Sequence, residues 1–429
     1  MSGTTIKSVS ARQVYSKRGH PGIEAMVVTE NGAKASAICT SGISIGSHEV
    51  PFQFDGGTKF RGKGVMNAVD NANKVIAPVL VGMDSANQLA ADNAMLSIMP
   101  NAKEKLGGNA TAAVSAAVLK AGAAALDIPL YQHIGGSGAM YLPVPGVGVL
   151  SGGDRYGGGV HPTGGKPSHT IMCYDFPTFS DASYAGWEIS TRWAEKMKKL
   201  FELSPNSHDS ITVPAGCVKT DEELWEMMAK TINEAGYEGK CGIQVDVATD
   251  TYCNKEDEKY YGLFNNTPKT KDDLLSFYQY MVKTYPFVII EDPFNEDDYD
   301  TTAILTKLLD IQITGDDLFT TNIERVAYGI SKGAATTVLL KVNQVGTITE
   351  SLEMIQYAYK FGYSVMPCSS RGEGDTIADY CVGINAGSVR ESAIGETGNR
   401  FLAIEAELGA RAKFIGPKGL KGSRFQGTK

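Results

Sequence analysis

Long apolar runs are missing from this chain. No stretch approaches the roughly 18 to 20 consecutive apolar residues that a membrane-spanning helix requires, so no membrane partner is expected. Cysteine is sparse and unpatterned. The seven cysteines (39, 173, 217, 241, 253, 368 and 381) are scattered, odd in number and without a Cys-x-x-Cys pair. That argues against a disulfide framework or a zinc site and fits a protein of a reducing cytosol. The opening Met-Ser-Gly-Thr-Thr-Ile-Lys lacks a signal-peptide pattern. Positive charge is also short: 40 basic residues against 48 acidic ones leave a net charge of −8. Outside the glycine-rich tail 411–429 there is no basic stripe, and nucleic acid is not an expected partner. Gly146-Val-Gly148-Val-Leu-Ser151 lacks the third glycine and the acidic partner of a dinucleotide-binding turn.

What is present is ordinary for a globular protein, with 42% apolar and 21% charged residues over 429 positions, long enough for two domains sharing an interface. Residues 6–15, 23–29 and 33–38 alternate as half-buried strands of a meander, with Asn31-Gly32 predicting a type I′ hairpin turn. A glycine- and serine-rich loop follows from Thr40 to Glu49. Helical patterns then cover 64–76, 86–98 and 109–126, the last so rich in alanine that close packing against other helices is expected. These make an N-terminal α+β domain over 1–138, and Leu142-Pro143-Val144-Pro145 opens a second domain over 139–429. Thr220-x-x-Glu223 and Thr347-x-x-Glu350 have capping-box spacing, and Thr270-x-x-Asp273 is a weaker relative. Residues 151–165 read as a glycine-rich loop.

The most informative residues close short, β-branched runs: Val-Asp246, Ile-Ile-Glu291, Thr-Gly-Asp316 and Leu-Leu-Lys341. A further run ends at Pro367. Such runs separated by helical patterns read as buried parallel strands. Functional residues at successive strand C-termini are what a (β/α)8 barrel gathers around one mouth. Three carboxylates there make a hard, oxygen-rich site suited to Mg²⁺, and a lysine beside them is a candidate base. Each acid could instead cap a helix or pair with a cation, and Lys341 could be a structural partner of the acids.

These motifs, together with Ser41-Gly-Ile-Ser-Ile-Gly46, His48-Glu49, Ile290-Glu-Asp-Pro-Phe294, Gly315-Asp-Asp-Leu318, Leu340-Lys-Val-Asn-Gln344 and Ala403-Ile-Glu-Ala-Glu-Leu-Gly409, resemble the enolase family over most of the chain. The resemblance implies an α/β protein: an enolase-type (β/α)8 barrel of modified strand order preceded by an α+β capping domain. It implies a Mg²⁺-dependent lyase in which Asp246, Glu291 and Asp316 hold one ion. Ser44 would hold a second ion that arrives with substrate. Lys341 matches the residue that removes the proton α to a carboxylate. Arg371, Arg390, Ser370, His48, Glu49 and Arg155 fall at positions implied to contact substrate. A homodimer, or a higher assembly of dimers, is implied as well.

Departures from the pattern accompany these matches. The family's Asp-Glu-Gly-Gly segment is Asp209-Ser210-Ile211-Thr212 here, and its Gln-Glu-Phe aligns with Ser168-His169-Thr170. Its Ser-His-Arg-Ser is Ser369-Ser370-Arg371-Gly372, and its late lysine is Arg390. The acids that help expel a hydroxyl are thus replaced, and His169 becomes a candidate proton donor, or else a histidine bonded within the barrel wall. Three readings follow: a lyase acting on an anionic carboxylate other than 2-phosphoglycerate, a genuine phosphopyruvate hydratase, or a non-catalytic Mg²⁺-binding relative.

Overall fold

The computed structural model describes residues 3–16, 19–42, 45–153, 155, 166–202 and 210–426. Three antiparallel strands open the chain: β1 (Ile6–Tyr15), β2 (Pro21–Thr29) and β3 (Lys34–Thr40). The β2–β3 connection departs from the type I′ expectation. Only Gly32 takes a positive φ, +87°, while Asn31 does not, and the Thr29 and Gly32 amides bond to Ala33 and Thr29 carbonyls at 3.0 Å. The loop is therefore one step longer than a two-residue turn, with glycine alone in the left-handed region.

The helix Gly108–Ala125 lies against this sheet and is buried along almost its whole length. Its small side chains allow that approach. The segment expected as helix 64–76 instead divides into Met66–Asn71, a π-helical turn Ala72–Ile76, and Ala77–Leu80. The remaining two expected helices form, as Gln88–Leu96 and Gly108–Ala125.

Eight further strands build a nearly closed barrel: β4 (Val144–Leu150), β5 (Ser168–Cys173), β6 (Cys241–Asp246), β7 (Phe287–Glu291), β8 (Gln312–Gly315), β9 (Thr337–Leu340), β10 (Ser364–Pro367) and β11 (Ser388–Val389). The order around the sheet is β10-β9-β8-β7-β6-β5-β4-β11. All neighbours are parallel except that β5 runs antiparallel to both β4 and β6. Helices cover the outer face, and the capping boxes at Thr220 and Thr270 both close. Side chains alternate. Val144, Met172, Val288, Leu339 and Met366 fill the barrel interior, whereas Ile171, Ile243, Val245, Ile313 and Val338 pack outward beneath the helices. Among the described residues no single helix is long and apolar enough to cross a membrane.

Gly122 shows how close the capping helix packs: a Cβ there would collide with the carbonyl of Ser85. Alanine is worth about 1 kcal/mol over glycine in a helix interior, but overpacking against backbone costs about 1–3 kcal/mol. Gly122→Ala is expected to lower stability by about 1 kcal/mol or more in urea denaturation, against the propensity trend; a gain would show the contact to be slack.

Candidate active site at the barrel mouth

Strand register places the acids. Asp246 ends β6 opposite Ser168 of β5, Glu291 ends β7 beside it, and Asp316 follows β8 directly. All three are buried. Lys341 follows β9, and its ammonium donates to Asp316 Oδ2. Gln344, one turn later, donates to Asp316 Oδ1 at 2.7 Å and accepts from Thr321 at 2.8 Å. Burial alone would lower the Lys341 pKa, yet the Asp316 charge carries it above the ordinary lysine value. Burial opposes ionisation of Asp316, but Lys341 holds that carboxyl down to about 2.

On the other side of the mouth, Arg390 Nη1 bridges two acids, 2.5 Å from Asp246 and 2.8 and 3.0 Å from the two Glu291 oxygens. Gln244 donates to Glu291 from within the barrel at 2.9 Å. Lys166, which the strand-end reading missed, pairs with the same Asp246 oxygen. Burial and the neighbouring Arg390 charge bring Lys166 down to about 8. Its signal in the sequence was indirect. Because β5 is antiparallel, the mouth lies at its N-terminal end, and the residues just before Ser168 reach it.

Behind the acids, Asp292 takes a left-handed φ of +45° and accepts the Asp316 and Asp317 amides, each at 2.9 Å. Burial, then the Asp317 and Asp316 charges, push Asp292 well above the carboxylate range, and burial with the Asp316 charge pushes Asp317 up to about 7. This backbone clamp aims Asp316 at Lys341.

Arg371 and Glu49 meet across the two domains, with both guanidinium Nη atoms on the carboxylate at 2.8 and 2.6 Å. Ser370 lies next to them and lines a cavity of about 350 Å³ with Tyr15, Thr40, Ser41 and Thr397. The loop carrying Glu49 is pinned to the barrel. Ser47 N donates to Glu296 at 2.9 Å, and His48 Nε2 lies 2.9 Å from Asp297. His48 is thus a partly exposed latch residue rather than a member of the acid cluster. Ser44 lies outside the described residues.

Two expectations are corrected. His169 stands opposite Val245, and in a strand that parity turns its side chain away from the Asp246 face. The imidazole is fully buried in the barrel wall, where Nε2 accepts from Trp225 at 2.8 Å. Burial and the Arg155 charge hold its pKa well below the usual histidine value, so it stays neutral. Arg155 is not at the mouth either. Its Nη1 grips both oxygens of the buried Asp221 at 2.8 Å, at the start of the helix Asp221–Glu234. That is an internal ion pair, whose two charges are already matched.

With this geometry in view, comparison with known families is decisive. The model for the enolase N-terminal domain matches residues 6–134, and that for the enolase C-terminal TIM barrel domain matches residues 139–423. The chain belongs to the enolase family. It is 37% identical over 425 residues to the enolase of Methanocaldococcus jannaschii, covering 96% of this chain and 97% of that protein. Against the enolase of Bifidobacterium adolescentis identity is 38% over 432 residues, covering 97% and 98%. Against that of Solanum lycopersicum it is 37% over 438 residues, covering 96% and 97%.

Buried carboxylates gathered at one mouth are the donor type a hard divalent cation takes; among the described residues the buried acids whose oxygens lie within 4.8 Å of one another are Asp292, Asp316 and Asp317. The ligand atoms would be carboxylate oxygens, and one cationic nitrogen already bridges Asp246 and Glu291.

Replacing His169 leaves the Trp225 indole N–H without a partner. His169→Leu should therefore lower stability by about 1–3 kcal/mol in urea denaturation and leave the pH dependence of catalysis unmoved. A shifted pH profile at unchanged stability would place the imidazole in the chemistry. Asp250 supports the latch loop, accepting from Glu296 N at 2.8 Å and from Asn295. Burial raises its pKa from 3.8 to about 6. The unfolded carboxyl ionises first, so stability falls as pH rises from about 4 through 6. Asp250→Asn should remove this slope and gain about 1–2 kcal/mol at pH 7.5 relative to pH 5, read by denaturation at both pH values.

Proposed function

We propose that this enolase-family protein is a Mg²⁺-dependent carbon–oxygen lyase. It removes the proton α to a carboxylate, with Lys341 as base, from a small anionic substrate other than 2-phosphoglycerate. The observation that carries this reading is the Lys341–Asp316–Gln344 arrangement: a buried lysine at a strand end, aimed by its neighbours into the mouth that holds Asp246 and Glu291.

A proton next to a carboxylate is very weakly acidic, and its removal leaves a dianion. Asp246, Glu291 and Asp316 would hold the Mg²⁺, with Ser44 proposed for a second ion. Held there, a divalent ion would supply positive charge for the substrate's carboxylate oxygens and would offset the Asp316 charge that keeps Lys341 protonated. Lys341 then takes the proton on its Nζ. Arg390 and Arg371 supply fixed positive charge for the substrate carboxylate and a second acidic group. Among the described residues the Nε atoms of both are buried without a partner, donors that an anion can use. Glu49 holds Arg371 in place, and Gln344 holds Asp316 against the base.

The substrate assignment rests on what replaces the family's acids. Ser210 and His169 align with those two acids; a serine carries no acidic proton, and His169 is turned into the wall. A leaving hydroxyl has no protonated carboxyl at those positions. Phosphopyruvate hydratase activity is the second reading, favoured by 37% identity to proteins named enolase. Assembly as a homodimer, or as dimers of dimers, and a cytosolic setting belong to the same proposal.

Two assays separate the readings. With millimolar Mg²⁺, solvent deuterium is expected to enter the α position of an accepted carboxylate substrate, and Lys341→Ala should slow this about 10²–10⁴-fold. 2-Phosphoglycerate should give no enolpyruvate absorbance. Robust dehydration abolished by Lys341→Ala would make the second reading correct. Absence of exchange across a broad carboxylate panel would remove the catalytic proposal altogether.

A further inference from the structure

Two cationic side chains converge on one oxygen of Asp246: Lys166 Nζ and Arg390 Nη1. Their mounting differs. Arg390 is wedged between strands and also bonds both Glu291 oxygens at 2.8 and 3.0 Å. Lys166 reaches in from the segment before β5. Its backbone is tied down from behind, where the Tyr252 hydroxyl donates to the Lys166 carbonyl at 2.5 Å. Its side chain remains 13% exposed at the rim, against 3% for Asp246. Lys166 is therefore held at its root, and one partner of its ammonium is an acid that the preceding section assigns to the metal.

Charge balance gives this contact a purpose. Asp246, Glu291 and Asp316 are all buried, and three cations pair with them: Lys166 and Arg390 on Asp246, Arg390 on Glu291 and Lys341 on Asp316. A divalent ion entering this set adds two positive charges beside three resident cations. In a low-dielectric mouth, a cation within hydrogen-bond reach of the same oxygen opposes the ion strongly. One resident cation must retire, and Lys166 has both the chain length and the exposed rim to do so.

We propose that Lys166 is an internal counter-cation that sets the metal affinity of this site. It neutralises Asp246 in the metal-free protein and must leave that carboxylate for Mg²⁺ to bind. The inference rests on the reading of Asp246 and Glu291 as metal ligands, and it concerns binding rather than turnover.

Calorimetric titration with Mg²⁺ alone tests it on the full chain, using wild type, Lys166→Met, Lys166→Arg and Glu291→Gln, with thermal melts in chelator. Lys166→Met should bind Mg²⁺ on the order of tenfold tighter or more, and melt lower than wild type without metal. Lys166→Arg should stay at or below wild-type affinity. Should the methionine variant not fold without metal, Lys166→Gln carries the same titration. Equal or weaker Mg²⁺ binding by a folded Lys166→Met overturns the inference and leaves the metal reading intact. Mg²⁺ binding unaffected by Glu291→Gln overturns the ligand assignment instead. Binding by Lys166→Met but not by wild type upholds the inference and removes Mg²⁺ dependence from the natural chain.

Discussion

The mouth of this barrel depends on one constraint: three buried carboxylates cannot share a low-dielectric space unless positive charge stands among them. Every notable contact at the site answers that demand. Lys341 takes Asp316, Arg390 spans Asp246 and Glu291, and Lys166 doubles on Asp246. The neutral donors Gln344 and Gln244 occupy further lone pairs of Asp316 and Glu291. Even the strained backbone at Asp292 serves it, since that residue collects the amides of Asp316 and Asp317 and fixes their direction. The same balance that stabilises the metal-free protein is what any entering cation must disturb.

Strand direction and parity decide which residues reach this space. Seven of the eight barrel strands present their C-termini to the mouth, but β5 is reversed and presents its N-terminus. Ser168 therefore faces Asp246 while His169, one residue on, faces Trp225 and the helices outside. A single step along a strand separates a mouth residue from a wall residue. That is why the histidine that replaces a family residue does not inherit its surroundings.

The capping domain completes the site rather than decorating it. Glu49 orients Arg371 by a two-pronged pair, and Ser47 and His48 meet Glu296 and Asp297 on the barrel side. Enolase-family membership is plain from both domains, and the residues that depart from the family pattern lie at the rim and in β5. The strand ends at Asp246, Glu291, Asp316 and Lys341 keep the family pattern; Ser210 and His169 do not.

Much of this was legible before any coordinates. The strand-end places of Asp246, Glu291, Asp316 and Lys341 were legible because a buried strand is a β-branched run and a polar residue marks its end. The capping boxes at Thr220 and Thr270 were visible because that chemistry is local. Less could be read where the outcome hung on partners distant in sequence. Arg155 looked like a mouth residue until Asp221 was found beneath it, and Lys166 was silent until the reversal of β5 put it over Asp246. The Asn31-Gly32 turn failed more narrowly, since loop length rather than composition chose its type. The chain alone thus determined the family, the barrel and the polar residues that end its strands, all set by local pattern. Only the tertiary structure decided which cation faces which acid and which side of β5 turns inward, because register, strand direction and charge pairing exist only between segments.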